Sequence, residues 1–462
     1  MKRFFTVLAI ILLIFTGCSR PTDNNVAVGS DVYNNEKEHE SINIPDPQNT
    51  NGLLEGEQVE DNINAGQLSE DDQLTKEAQE KNVTESDVIV NEEELKKLEA
   101  YKDNVLRTFD SKVPDEVVMN IKYNKYDVPT DYVLVLSEEV NIREKPFTSA
   151  KSIGKAQYFE KVNLIAEVKG EYMEKYKTDK WYKVAFKQGD KVQNGYILSV
   201  LTKQREFQFE SVYEAVYSAK DTVDNGISAY ITNYKNRVGT APLFNGGTKD
   251  KFGIQRNQSA PAYYEPNLGA SFRYISDGTL VSILSETDSF YKVSTLNFKG
   301  EYYVPKKYIS FANSIKKLTK VVVVDRKNQN ECVLEFVNGK WNLISFIYAT
   351  TGENSKNKLP TDLGYYMVMQ KVPKFSYLKD GTNIIAGYAP YGIRFNGGAY
   401  IHGVPVDYVK KNGKNVDPGM KEYLFTVGTV PKSHKCVRNY TSHAKFLYDW
   451  VEIGKSAVIV IE

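Results

Sequence analysis

From Tyr132 to the C-terminus the chain is a succession of short runs in which apolar and polar residues alternate, broken by turn residues: YVLVLSEEVNIREKP, KVNLIAEV, WYKVAF and GYILSVL, then VVVVD, CVLEFVNGKWNLISFIYATTG and a closing SAVIVIE. A period of two puts alternate side chains on opposite faces of an extended chain, which is the pattern of paired strands, and few stretches offer the 3.6-residue period of a helix. The reading is a mainly β fold. A chain of 462 residues holds roughly two to four domains, and the runs fall into three groups at 128–204, 257–314 and 315–462. A connector at 205–256 carries one helical stretch near Glu210 to Lys220 and a Gly/Asn-rich loop.

The formal net charge of zero conceals two opposed parts. Residues 19–100 carry 21 Asp and Glu against 6 Lys and Arg, which leaves 38 acidic against 51 basic residues in 101–462. The zero total argues against a nucleic-acid binder, while the basic body suits an anionic polymer. Lys2-Arg3, the apolar FFTVLAIILLIF and the small Thr16-Gly17 before Cys18 read as a secretory signal, too short for a membrane span of ~20 residues. Phe15-Thr16-Gly17-Cys18 resembles a bacterial lipobox. The resemblance implies removal of residues 1–18, lipidation of Cys18 and a membrane partner for the mature protein. Residues 19–127 read as an acidic, disordered tether with almost no aromatic residues before its end. It closes on a helix predicted over about 92–108, with Asn91 and Glu94 as a capping box and Leu95, Leu98, Tyr101, Val105 and Leu106 near one face.

Asn141-Ile142-Arg143 with Pro146, then Gly154, Trp181-Tyr182-Lys183-Val184 and Gly195-Tyr196-Ile197, resemble a bacterial SH3-type domain. A divergent second copy shows YYEPN at 263–267, TLVSILSE at 279–286, Phe290-Tyr291-Lys292-Val293 and Gly300-Glu301-Tyr302-Tyr303-Val304. The repeat predicts two small SH3-like barrels. The resemblance implies binding to peptidoglycan, in which exposed aromatics stack on sugar rings; the alternative for Trp181 and Tyr182 is that they fill a barrel core.

Four histidines occur in the chain, and His402, His434 and His443 cluster in sequence around Cys436. A thiol with an imidazole at hand is a candidate nucleophile, because the thiolate is the reactive form. Thr351-Gly352, Leu359-Pro360-Thr361-Asp362-Leu363-Gly364, Ile401-His402-Gly403 and Ser433-His434-Lys435-Cys436-Val437-Arg438-Asn439 appear in the order of the YkuD-type L,D-transpeptidase catalytic domain, which this third of the chain resembles. The resemblance implies a β-sandwich and a peptidoglycan substrate. Cys436 is then the nucleophile, His402 its general base and His434 a supporting group. Arg438 is suited to the donor carboxylate, and Ser433, Gly403 and Lys435 are placed toward the substrate. The chemistry needs no cofactor, and no known metal-site spacing stands behind a zinc site built from His402, His434, His443 and Cys436.

Lys435 stands where the family has glycine. A Cβ there resists positive φ, yet a cation beside the nucleophile favours the thiolate. The polar insert DYVKKNGKNVDPGMK within 403–432 reads as a lid or as a solvated loop. Cys332 reads as a small buried hydrophobe, with a disulfide to Cys436 left open. His443 reads as a surface or capping residue, and Tyr388, Tyr391 and Tyr400 as groove lining or packing. Three activities remain open: an L,D-transpeptidase, an L,D-carboxypeptidase using the same thioester, and a non-catalytic wall-binding lipoprotein.

Overall fold

A computed structural model describes residues 92–462 apart from 357, 379–381 and 383. The signal peptide, Cys18, His39 and the acidic tether up to residue 91 lie outside the described residues. The structure is mainly β, and four sheets carry most of it.

The alternation in VVVVD and NECVLEFV sorts the side chains of one sheet to two apolar faces. This sheet runs in the order Val117–Met119, Lys340–Tyr348, Asn330–Val337, Lys320–Asp325, Ser456–Ile461, Gly364–Met367. Val321, Val323, Cys332 and Leu334 enter one core, whereas Val322, Val324 and Val333 enter another. The second face packs on a sheet made of Gln370–Leu378, Ile385–Asn396, Ala399–His402 and Val437–Arg438, and on the helix Thr441–Trp450. That completes a two-layer β-sandwich.

The first face is covered from outside the sandwich. The connector helix Phe209–Asn225 buries Phe209, Val212, Ala215, Val216, Ala219 and Val223, an i, i+3, i+4 stripe, in the same core as Val321, Val323 and Leu334. Burying each of its larger apolar side chains contributes about 1.5–3 kcal/mol. The connector is therefore the outer layer of the C-terminal domain.

The two predicted barrels share one topology. In the first, Asp131–Val135, Glu139–Arg143, Ser152–Gln157, Lys161–Met173, Thr178–Gln188, Lys191–Leu198 and Thr202–Glu206 are arranged in space as third, second, sixth, fifth, fourth, first, seventh. The second repeats that order with Ile227–Ile231, Ser259–Tyr263, Phe272–Ser276, Leu280–Glu286, Phe290–Thr295, Phe298–Pro305 and Ile309–Ser310. Its first strand lies in the region read as connector, so the module begins at Ile227, and residues 232–258 are an insertion between its first two strands. Trp181 and Tyr182 are buried, and the indole N–H donates to the Glu171 carbonyl at 3.1 Å. Both fill the core rather than offer a stacking surface.

The helix expected over 92–108 ends at Ala100. Asn104–Thr108 pairs instead with Lys161–Met173 of the first barrel, and Val117–Met119 pairs with Lys340–Tyr348 of the sandwich. Residues 104–119 thus belong to the folded body, because strand edges offer their backbone groups partners that a short solvated helix cannot.

Val216 is fully buried in the connector helix, and its neighbour Tyr217 is 58% exposed. Val216→Asp is expected to lower stability by about 3 kcal/mol or more, and Tyr217→Asp by less than about 0.5 kcal/mol. Urea unfolding of the two variants checks this, and equal losses would contradict the cover assigned to the helix.

Candidate active site

Residues 433–438 make one tight loop built around a lysine in an unusual conformation. Lys435 has φ 63°, in the left-handed region where a side chain costs on the order of 1–2 kcal/mol and glycine is at ease. The lysine adopts the backbone that the sequence comparison with glycine put in question. Two contacts hold it: its N–H donates to the Leu359 carbonyl at 2.9 Å, and its ammonium pairs with Asp362 at 3.1 Å.

The Leu359–Asp362 stretch is the outer brace of this loop. The buried Thr361 hydroxyl accepts the Gly352 N–H at 2.8 Å and donates to the Lys435 carbonyl at 2.9 Å. A Cβ on Gly352 would stand 2.5 Å from the Leu359 carbonyl oxygen and 2.7 Å from the Lys435 nitrogen, so this crossing admits only glycine. Ser433 is buried, and its hydroxyl donates to the Cys436 carbonyl. That bond closes the loop on itself.

Strand pairing brings His402 to the loop. Ala399–His402 runs parallel to Val437–Arg438, with Ile401 opposite Val437 and His402 opposite Arg438, and the Asn439 N–H donates to the His402 carbonyl at 2.9 Å. Tyr400 consequently lies beside Cys436 in one buried cluster, and its backbone N–H favours the thiolate. The His402 Nδ1 lies 2.6 Å from the Gly403 carbonyl. A carbonyl only accepts, so Nδ1 carries the proton and Nε2 is the basic nitrogen. Gly403 is itself confined, since a Cβ would stand 2.9 Å from the Thr441 hydroxyl and 3.0 Å from Pro390. Phe375 fixes the imidazole edge-on with ring centroids 5.2 Å apart.

Burial governs the electrostatics. It pushes the Cys436 thiol up to about 11, against the Tyr400 N–H and the positive charges of Arg438 and Lys435, which favour the thiolate. It also drives the His402 imidazole down to about 3, a shift the Gly403 bond opposes and Arg438 reinforces. The resting pair is a neutral thiol and a neutral imidazole, a setting for general-base catalysis rather than for a preformed ion pair.

The other candidates fall as follows. His434 is half-buried, and its carbonyl accepts the Cys436 N–H at 2.8 Å. With the Lys435 N–H on Leu359, the backbone N–H groups of Lys435 and Cys436 are both engaged inside the loop. Arg438 exchanges two backbone bonds with Thr350, at 2.8 and 3.0 Å. Cys332 and Cys436 are both free thiols in separate cores, so the disulfide left open does not form. His443 is not at the surface: it is fully buried, with Nε2 2.9 Å from the Ser345 hydroxyl, Nδ1 2.8 Å from the Asn439 amide oxygen and 3.1 Å from a Glu331 oxygen. Its sequence position at a helix start gave no sign of the strands stacked over it. Among the described residues no group of three His, Cys, Asp or Glu side chains converges to hold a metal ion.

Of the three tyrosines, Tyr400 borders the thiol, Tyr391 packs near Tyr448 and Tyr388 anchors the insert. The insert forms an exposed hairpin, Val409–Lys411 with Lys414–Val416. At its base Asp417 accepts from the Tyr388 hydroxyl and from Lys374, each at 3.0 Å.

The family model of the L,D-transpeptidase catalytic domain, YkuD, matches residues 319–460. Residues 319–460 are thus similar to the L,D-transpeptidase catalytic domain. A bacterial SH3 domain model matches residues 138–203. No curated protein matches the chain. Solved structures with similarity include an L,D-transpeptidase from Mycobacterium smegmatis, 18% identical over 44% of this chain and 99% of that one, TM-score 0.25. Another is a fused Zn-dependent amidase/peptidase/peptidoglycan-binding domain-containing protein from Clostridium acetobutylicum, 17% identical over 31% and 52%, TM-score 0.21. A third is the helical cell shape determining protein Pgp2 from Campylobacter jejuni, 18% identical over 31% and 48%, TM-score 0.21. The chain spans about half the length of the last two.

Two outcomes test this geometry. If Lys435 holds positive φ in solution, Lys435→Gly is more stable than Lys435→Ala by about 1 kcal/mol, the reverse of the usual order; denaturant unfolding measures it. The depressed imidazole keeps His402 neutral well below its ordinary 6.5, so the acid limb of kcat/KM lies far below that value. An acid limb near pH 6.5 that disappears with His402 would contradict the buried site.

Proposed function

We propose that the protein is an exported peptidoglycan L,D-transpeptidase that uses Cys436 as nucleophile. The family match over 319–460 carries the reaction class, and the burial that favours the neutral forms of the Cys436 thiol and the His402 imidazole, both in contact with the Phe375 cluster, supports the mechanism. As the Cys436 sulfur attacks the amide carbonyl before the terminal D-alanine of a tetrapeptide stem, His402 Nε2 takes the thiol proton. The tetrahedral adduct collapses, the amide C–N bond breaks, and the leaving amine takes that proton from His402. D-alanine departs and a thioester remains. An acceptor amine then attacks the thioester, gives a proton to His402, and releases the thiol as the new amide forms.

Arg438 pairs with the donor carboxylate. Lys435 and Arg438 together lower the energy of negative charge on sulfur, and His434 supports the loop. The SH3-type modules hold the wall, with Tyr172 and Tyr264 as exposed aromatics available to it. Lipidated Cys18 anchors the chain to a membrane at the start of an acidic tether. No helix among the described residues is long and apolar enough to cross a membrane.

The test is incubation with disaccharide-tetrapeptide and mass analysis of the products. The expected product is a dimer lacking one D-alanine. Cys436→Ser is expected to lower turnover by on the order of 10³-fold or more, His402→Ala to lower kcat severely, and His443→Ala to lower stability with kcat largely kept. Tripeptide without dimer would make the enzyme a carboxypeptidase, and unchanged turnover in Cys436→Ser would overturn the nucleophile.

A further inference from the structure

The insertion 232–258, which the first barrel lacks, connects the second barrel to the sulfur of Cys436. Asp277, in the turn after Phe272–Ser276, is fully buried. Its two oxygens accept from the Asn233 N–H and from Arg394 Nη1, each at 2.7 Å. Arg394 belongs to the sandwich strand Ile385–Asn396 and is itself buried. An ion pair of this kind holds its geometry, because losing one partner strands the other charge in a low dielectric.

Tyr234 of the insertion occupies the space the pair defines. The Arg394 guanidinium lies 4.0 Å over its ring, within cation–π range. Arg394 is the register partner of Tyr400 across the antiparallel strands. Tyr234 and Tyr400 thus meet the same side chain, one under the Arg394 guanidinium and the other as its register partner, and the Tyr234 phenol adds to the upward shift that burial imposes on the Tyr400 phenol. Tyr400 in turn packs with Cys436 in one buried cluster, where its backbone N–H favours the thiolate, and its ring lies 4.7 Å from Phe375, which borders His402. Asp277, Arg394, Tyr234, Tyr400 and Cys436 thus form one contiguous set of contacts.

We propose that Tyr234, clamped by Asp277 and Arg394, is a positioning residue for the nucleophile, and that the second SH3-like module completes the transpeptidase site rather than serving only to hold the wall. The proposal rests on Cys436 being the nucleophile. Tyr234 keeps strand 399–402 in register so that the Tyr400 N–H points at the sulfur, and a donor to sulfur stabilises the thiolate over the thiol. Loosening the clamp withdraws that donor and raises the thiol's affinity for its proton.

The test uses the full-length protein in detergent and follows iodoacetamide alkylation of the Cys436 peptide by mass spectrometry as a function of pH. Tyr234→Phe keeps the ring under Arg394 and removes only the hydroxyl; Asp277→Asn removes the charge that holds Arg394. Both are expected to slow alkylation at fixed pH three- to tenfold, to move its pH profile upward, and to lower kcat with KM little changed. A change confined to melting temperature, with the wild-type profile retained by folded Tyr234→Phe, would overturn the proposal even if Asp277→Asn fails to fold. If Cys436→Ser retains turnover, the nucleophile reading falls first and takes this one with it.

Discussion

The sheet formed around Lys320–Asp325 is apolar on both faces, and both must be covered. Val321 to Val324 are fully buried, alternately to one side and the other. The site-bearing sheet covers one side. The other side recruits the connector helix, together with Tyr132 and Phe207 of the first barrel and Tyr230 and Leu280 of the second. One apolar constraint thus draws modules that the sequence presents as separate beads into a shared core.

That sharing extends to the Cys436 loop. The first barrel's Arg205 is buried and donates to the Thr429 carbonyl at 2.6 Å, and Lys161, whose ammonium burial lowers to about 7, lies over the Tyr348 ring beside Gly428. Both contacts bear on the segment that leads into Ser433–Cys436. The Cys436 loop is therefore held by Leu359–Asp362 of its own domain and by the first barrel, while Arg394 ties the neighbouring strand to Asp277 of the second barrel.

Much of this was legible in the sequence because it is local. The valine run, the repeat of the barrel motifs and the four catalytic motifs each announce themselves within a few residues. What escaped the sequence is non-local. The strand at Ile227–Ile231 is short and detached by its insertion from the module it completes. The stretch 104–108 carries apolar residues at helical spacing, yet sheet edges capture it. His443 follows a serine at a helix start, and the packing of Asn330–Val337, Lys340–Tyr348 and the distant Tyr123 buries it. Lys435 looked like an obstacle because propensity disfavours its conformation, whereas Leu359, Thr361 and Asp362 together offset the strain.

The central claim is that Cys436 carries the acyl group between donor and acceptor. Rapid mixing with disaccharide-tetrapeptide, acid quench and peptide-level mass spectrometry test it most directly. The account predicts a transient adduct on Cys436 with the mass of the donor minus D-alanine, decaying faster when an acceptor amine is added. Turnover with no adduct on Cys436, or the adduct on another residue, would contradict it.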